Sequence, residues 1–357
     1  MNSRSKAELF DIMKQTAAVV DAFILDEVSK VSRDPLVPSE AILHLPKIRA
    51  KSRGHGVHPK LRASFIRLIY ELISNDDWQT VVPLAAAGEL LAISSYVIDD
   101  FLDHQEKRNG EPATWMVYGP ADAIMAAQIQ REVAESILLN LNVSAEQIVR
   151  LVGVLNNIFC QGYLGQLIDS RMKAPSPIAD YIRRCEQIAG HFHGGLAKMA
   201  AIYAGASEEI VEKLGHLGFC HGIALQIRND LVDYMPSSIL ATAGAHALDR
   251  IPFEDFRNGK WTMPLLYAYE RADLDRERLQ SWISNATFSD DTATKLTKLL
   301  LDTGAYDATL QQITTYKEMA HRLLMDFPPS SERDVLAMLL ETVENSRLYV
   351  QKLARPS

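Results

Sequence analysis

Apolar residues recur at spacings of three and four along most of this chain, and that period buries a continuous stripe only on a helix. Phe10, Met13, Ala17, Val20, Phe23 and Ile24 form the first such stripe. The rhythm returns in residues 63–74, 83–103, 121–140, 145–170, 178–204, 208–234, 261–271, 292–303 and 333–352. Helix breakers fall between these segments: Gly54 to Pro59, Asn109 to Pro112, Gly119-Pro120, Pro175 to Pro177 and Pro328-Pro329. Alternating β-branched runs bounded by tight turns, the mark of half-buried strands, do not occur. The expectation is an all-α fold in one large domain, with inward helix faces around a central cavity. Residues 1–55 are read as an N-terminal helix and polar lead-in, 56–357 as the main body, and 236–258 as a loop or lid.

With 357 residues, 47% of them hydrophobic, the chain can bury a sizeable core. Its 37 Lys and Arg against 45 Asp and Glu give a formal charge of −8, which argues against general nucleic-acid binding. A polyanionic substrate would therefore need local cations or metal. The three cysteines, Cys160, Cys185 and Cys220, form no CxxC pair, which excludes a disulfide framework and fits a reducing compartment. Asp11, Lys14, Asp21 and Asp26 interrupt the first 30 residues, so no signal peptide is expected. No uninterrupted apolar run reaches about 18 residues, and no membrane span is expected. These readings place the protein in the cytoplasm.

The chemistry concentrates in acidic residues that end apolar helices. In Asp99-Asp100-Phe101-Leu102-Asp103, a helix puts Asp99 and Asp103 one turn apart on a shared face. Two like charges so placed repel unless a cation bridges them. Carboxylates on one helix suit Mg²⁺, which keeps several waters and completes its shell with phosphate oxygens. Alone, the motif is equally well an exposed acidic helix end. A second constellation, Gln226-Ile227-Arg228-Asn229-Asp230-Leu231-Val232-Asp233, repeats the geometry about 130 residues later, after another apolar run. The two clusters are expected to face one another across a cavity and hold a diphosphate through metal ions. A third piece, Gly259-Lys260-Trp261-Thr262-Met263-Pro264, adds a permissive backbone, a point charge and a helix start for phosphate.

In this order, DDxxD, QxxNDxxD and GKxTxPLL, the motifs resemble those of the trans-isoprenyl diphosphate synthase (polyprenyl synthetase) family. Lys107 to Pro112 is similar to that family's basic RRGKP step, and Gly165-Gln166-Leu167-Ile168-Asp169 to its GQxxD helix. The resemblance implies the isoprenoid synthase helical bundle, a homodimer, a prenyl diphosphate substrate and Mg²⁺, with three ions around the bound diphosphate. Carried over, it makes Asp99, Asp103, Asn229, Asp230 and Asp233 metal ligands, with Asp100 beside them, and Lys260 a catalytic cation. Arg108, Gln166, Gln226 and Lys260 would contact substrate, as would Lys60 and Arg62 at the two arginines of the family's GKRxRP segment.

The same alignment shows departures. Asn229 stands where the family has aspartate; its amide oxygen can bind metal but brings no charge. Pro59 and Ala92 replace a lysine and a histidine of the second-substrate pocket, and Ile188-Ala189 replace a Lys-Thr pair. Chain elongation of isoprenoid diphosphates is the leading expectation. The alternatives are a class I terpene synthase-like cyclase, a prenyltransferase with another acceptor such as a pheromone peptide, and a non-enzymatic partner subunit.

Overall fold

The computed structural model describes residues 3–31, 39–51, 60–172, 175–236, 252–271, 277, 279, 281–282 and 288–341. Gly56 to Pro59, residues 237–251 of the expected lid, Asp273, Asp275 and the end of the 333–352 stripe lie outside the described residues. In chain order the helices are α1 (Ser3–Val31), α2 (Ser39–Lys51), α3 (Leu61–Ile73), α4 (Val82–Leu102), α5 (Thr114–Tyr118), α6 (Pro120–Leu139), α7 (Ala145–Asp169) and α8 (Ile178–Cys185). They continue as α9 (His191–Tyr203), α10 (Glu208–Asp233), α11 (Glu254–Arg257), α12 (Met263–Arg271), α13 (Asp290–Asp302), α14 (Ala305–Met325) and α15 (Ser331–Glu341). Among the described residues, strand is confined to one hairpin of β1 (Lys107–Arg108) and β2 (Glu111–Pro112). The all-α expectation holds.

The chain divides into two compact units. The first comprises Met1–Asn156, Gly195–Gly215 and Phe327–Leu339; the second comprises Asn157–Gly194, His216–Asp326 and Leu340–Ser357. In the first unit, α4 packs against α1, α3 and most extensively α6. From Leu84 through Ser94 every α4 residue is buried, as befits a helix that is apolar all round. Gly88 permits the close approach of α3, since a Cβ there would run into Ile66. Trp78–Leu102 is long and apolar enough to cross a membrane, but 78% of its apolar window is buried inside the protein, as in a core helix. The α1 stripe is Leu9, Met13, Ala17, Val20, Ile24 and Val28, one residue out of the expected register at its start, so Phe10 is exposed. Residues 39–51, read from sequence as lead-in, form α2, which packs on α1, α4 and α6.

Beneath that unit's apolar surface lies a buried cluster of four charges. Lys60 Nζ is 2.9 Å from Asp21 and 3.5 Å from Glu89, and Arg49 reaches the same Glu89 oxygen at 2.5 Å. Burial alone would raise the Glu89 pKa, but Lys60, Arg49 and Arg62 together hold it down at about 2. The expectation that Lys60 contacts substrate is corrected here: its side chain is 1% exposed and its charge is met by Asp21 and Glu89. The cluster makes the fold acid-sensitive. A carboxylate depressed below its ordinary 4.5 adds stability that is complete above that value and lost as pH falls toward about 2. The shift corresponds to a loss on the order of 3 kcal/mol. Denaturant unfolding at pH 6 and pH 3 should show a smaller loss in Glu89→Gln than in wild type; equal losses would assign the acid sensitivity elsewhere.

The second unit has its own core, in which Tyr181, Ile223, Ile227, Leu231, Tyr234, Phe256, Trp261, Leu265 and Tyr306 are all buried. Here α12 packs on α8, α13 and α14. One wide turn of π-helix, Glu186–Gly190, joins α8 to α9. A Cβ at Gly222 would collide with the Ala189 carbonyl, so α10 requires glycine beside this turn.

Candidate active site

In the first unit the last turn of α4 carries Asp99 and Asp103, both partly exposed and joined by the Asp103 N–H to Asp99 carbonyl bond at 2.8 Å. The helix stops at Asp103, and His104 takes a left-handed conformation (φ 54°) that turns the chain into the hairpin. Asn109 and Gly110 at its tip both have positive φ, 58° and 78°, as a tight two-residue hairpin turn demands. The hairpin brings Arg108 back to the helix end. Its guanidinium donates to Asp100 (Nε to Oδ1, 2.8 Å, and Nη2) and to Gln105 Oε1 at 2.8 Å. Burial pushes the Asp100 carboxyl up and Arg108 partly offsets it. Asp100 thus anchors the arginine, leaving Asp99 and Asp103 as the helix-end pair. Trp115 donates to the Gln105 carbonyl at 2.7 Å and steadies this turn.

Tyr96 lies one turn before Asp100, and three guanidiniums surround its ring: Arg108 at 4.8 Å from the centroid, Arg62 at 5.1 Å and Arg49 at 5.5 Å. An aromatic face so placed is a cation-binding surface, so this side of α4 is basic. Arg62, expected to contact substrate, lies over this ring; Arg49, from α2, was not foreseen. Ser94 and Ser95 are turned to the Ala127 and Leu91 carbonyls at 2.9 and 3.0 Å.

In the second unit the ends of α7 and α10, helix α8 and the α11 segment bring together Asp169, Tyr181, Arg184, Gln226, Asp230, Asp233, Asp255 and Lys260. Asp230 is buried; its Oδ2 accepts from the Tyr181 hydroxyl at 2.7 Å and its Oδ1 from Gln226 Nε2 at 2.8 Å. Gln226, expected to touch substrate, therefore orients Asp230. Asp233, expected as a metal ligand, turns both carboxylate oxygens to backbone, accepting from the Glu254 and Asp255 N–H groups at 3.1 Å. It caps α11 and positions the Gly259-Lys260 corner, where Gly259 has φ 72° and Lys260 N–H donates to the Asp255 carbonyl at 2.8 Å. Lys260 Nζ lies 3.4 Å from Asp169. Gln166 is on α7, one turn from Ser170, to which its carbonyl is bonded at 3.0 Å, and partly exposed.

Three members of this cluster escaped the sequence reading. Arg184 pairs with Asp169 at 3.1 Å and Asp230 at 3.4 Å. Burial would raise the Asp169 carboxyl, but Arg184 and Lys260 outweigh it and hold the group below its usual range. Tyr181 carries the hydroxyl on Asp230. Asp255 is pushed up to about 7 by burial and by neighbouring Asp230, against the opposing pull of Lys260 and Arg184. The only sequence signal for any of them was a charged pair, Arg183-Arg184, on an otherwise amphipathic turn.

Among the described residues no three acid, histidine or cysteine side chains form a closed metal cage. The donor set fits a hard cation that the protein holds by one or two carboxylates, with waters and substrate phosphate filling the remaining positions. Asp99 and Asp103 meet that description in the first unit. Asn229 and Asp230 meet it in the second with less charge. Asn229→Asp should lower the Mg²⁺ concentration needed for half-maximal activity by about tenfold; an unchanged titration would remove Asn229 from the site.

A family model described as polyprenyl synthetase matches residues 52–300. The geranylfarnesyl diphosphate synthase of Aeropyrum pernix is 28% identical over 333 residues, covering 91% of this chain and 98% of the relative. The geranylgeranyl diphosphate synthase of Methanosarcina mazei is 26% identical over 265 residues, 74% of this chain and 76% of the relative. Among solved structures, the geranylgeranyl pyrophosphate synthetase of Pyrococcus horikoshii superposes with a TM-score of 0.81 at 24% identity, covering 95% of this chain and 98% of that one. A decaprenyl diphosphate synthase from Rhodobacter capsulatus gives 0.78 at 20% identity, over 98% and 99%. At those identities the two structures speak to the fold, the all-helical bundle of the isoprenyl diphosphate synthases.

Proposed function

Because this chain belongs to the polyprenyl synthetase family and is a prenyltransferase, we propose that it lengthens isoprenoid diphosphates by Mg²⁺-assisted ionisation of an allylic prenyl diphosphate. The observation that carries the reading is that each acidic helix end has its own basic partner, Arg108 paired with Asp100 between Asp99 and Asp103, and Lys260 paired with Asp169. Carboxylates to hold metal and cations to hold phosphate are the two requirements of a diphosphate leaving group. Bound Mg²⁺ would neutralise the departing diphosphate, and three ions fit the family's chemistry. Asp99 and Asp103 would hold the metal at the first helix end; Asp230 and the Asn229 amide would do so at the second. Arg108, kept in place by Asp100, and Lys260, kept in place by the Asp233 cap, bind diphosphate oxygens. The apolar residues of α4 that precede Asp99 would wall the dry space that an allylic cation needs to escape quenching by water. The double bond of isopentenyl diphosphate then attacks this cation, the new cation loses a proton to restore an allylic double bond, and Arg62 beside Tyr96 would bind the second diphosphate.

The same reading carries a homodimer, supported by apolar Met116, Val117 and Met125, which are 47 to 57% exposed. It also carries the cytoplasm, supported by three free cysteines of which two are buried. Incubation with Mg²⁺ and geranyl, farnesyl or geranylgeranyl diphosphate, with and without isopentenyl diphosphate, tests the elongation. Longer diphosphates that need isopentenyl diphosphate are expected. Hydrocarbons or alcohols from one substrate would transfer the chain to the cyclase reading, and turnover only after adding a cell extract would mean another acceptor.

A further inference from the structure

We propose that the Arg184 guanidinium is a built-in counter-ion of the second acidic cluster, a positioning residue that keeps this cluster from taking up divalent metal until diphosphate arrives. The inference rests on the reading of Asp230 as part of the metal–diphosphate site. Arg184 is 7% exposed at its side chain and sits between two carboxylates, Nε 3.1 Å from Asp169 Oδ1 and Nη2 3.4 Å from Asp230 Oδ2. Asp169 turns its other oxygen to Lys260. Both oxygens of Asp230 accept from Tyr181 and Gln226, and both oxygens of Asp233 accept from backbone N–H groups. Asn229 is neutral. Asp169, Asp230 and Asp233 are thus each already met by a donor of the protein.

The reason that arginine occupies this place is visible in the packing of α8 on α7. The two segments meet in successive rungs, Ile188 with Gly165 and Arg184 with Asp169. A methyl at Gly165 would meet Ile188 Cγ1 at 2.5 Å, so position 188, where the resembling family carries lysine, is filled by close apolar packing. In this chain a positive charge stands one turn back, at Arg184, where it faces the same α7 surface one turn on, at Asp169. A buried guanidinium among carboxylates cannot shed its charge, so a metal approaching Asp230 alone meets a like charge a few ångströms away and little unneutralised anion. Diphosphate alters this balance, because its oxygens bring new negative charge for Arg184, Lys260 and metal to share.

The test is Mn²⁺ added to the metal-free protein without diphosphate, with free Mn²⁺ read by electron paramagnetic resonance. Mn²⁺ accepts the same oxygen ligands as Mg²⁺. Wild type and Asp230→Ala should give superimposable isotherms, and Arg184→Lys, which keeps the charge, should match them. Arg184→Met should bind a further equivalent of Mn²⁺, or bind at least about tenfold tighter, and adding Asp230→Ala to it should abolish the gain. Loss of a Mn²⁺ equivalent in Asp230→Ala alone overturns the proposal, as does an Arg184→Met isotherm identical to wild type. Where Arg184→Met does not fold, loss of a Mn²⁺ equivalent in Asp230→Ala still overturns the proposal, and Arg184→Gln takes the place of Arg184→Met with the same gain expected. Asp99→Ala separates the two readings: if it loses Mn²⁺ while Arg184→Met gains nothing, the first metal site stands and only the role of Arg184 falls.

Discussion

Asp99→Ala and Asp103→Ala should each lower turnover of an allylic diphosphate by at least about 10³-fold while leaving the protein folded. Removing one preorganised electrostatic contact to a developing charge costs about 10²–10³ in rate, and each of these carboxylates also positions its neighbour's metal. Stability should hardly change, because both groups are partly exposed and sit at a helix end where like charges repel. Loss of one charge there relieves the other. The Asp99→Ala and Asp103→Ala variants should therefore melt within a few degrees of wild type. Asp100→Ala behaves differently: its carboxylate is buried under Arg108, so its removal frees the arginine and disturbs the hairpin as well as the rate. Turnover within tenfold of wild type in Asp99→Ala would remove this helix end from the chemistry.

Lys60→Met should destabilise the protein by about 3–5 kcal/mol, the cost of stripping one partner from a buried ion pair. Asp21 is 2% exposed, and without Lys60 its charge is left in the apolar interior of the first unit. Glu89 suffers less because Arg49 still meets it at 2.5 Å. The double variant Lys60→Met with Asp21→Asn should regain most of the loss, since the stranded charge is then gone. The KM for a second diphosphate substrate should change by less than about threefold once the folded fraction is accounted for. A melting curve unchanged in Lys60→Met, together with a KM raised tenfold or more, would return Lys60 to the substrate pocket.

How much of this was legible beforehand depended on how local the constraint was. Asp99 with Asp103, and Asn229 with Asp230 and Asp233, stood out because one helix sets their spacing and no distant residue is needed to see it. The long stripes of α4, α7 and α10 were equally plain. The α14 helix was not seen: its buried positions are Ala305, Tyr306, Thr309, Ile313, Ala320 and Leu324, in which small or hydroxylated residues blur the period. Pro46 inside α2 reads as a breaker, yet that helix packs and delivers Arg49 to Tyr96. Roles that depend on a remote partner were misread. Lys60 matched a motif position, but its partners, Asp21 and Glu89, lie 39 residues before it and 29 after. Asp233 matched a metal motif and proved to cap α11. Arg184 had no motif at all, because its meaning comes from Asp169 on one helix and Asp230 on another.

The most direct measurement is the release of inorganic diphosphate from geranyl diphosphate and isopentenyl diphosphate by the purified protein as Mg²⁺ is titrated. Release should rise to saturation with Mg²⁺ and fall to background when EDTA is in excess. Release that continues undiminished in EDTA, or none at any Mg²⁺ concentration, would contradict the view that acidic helix ends and metal together expel the leaving group.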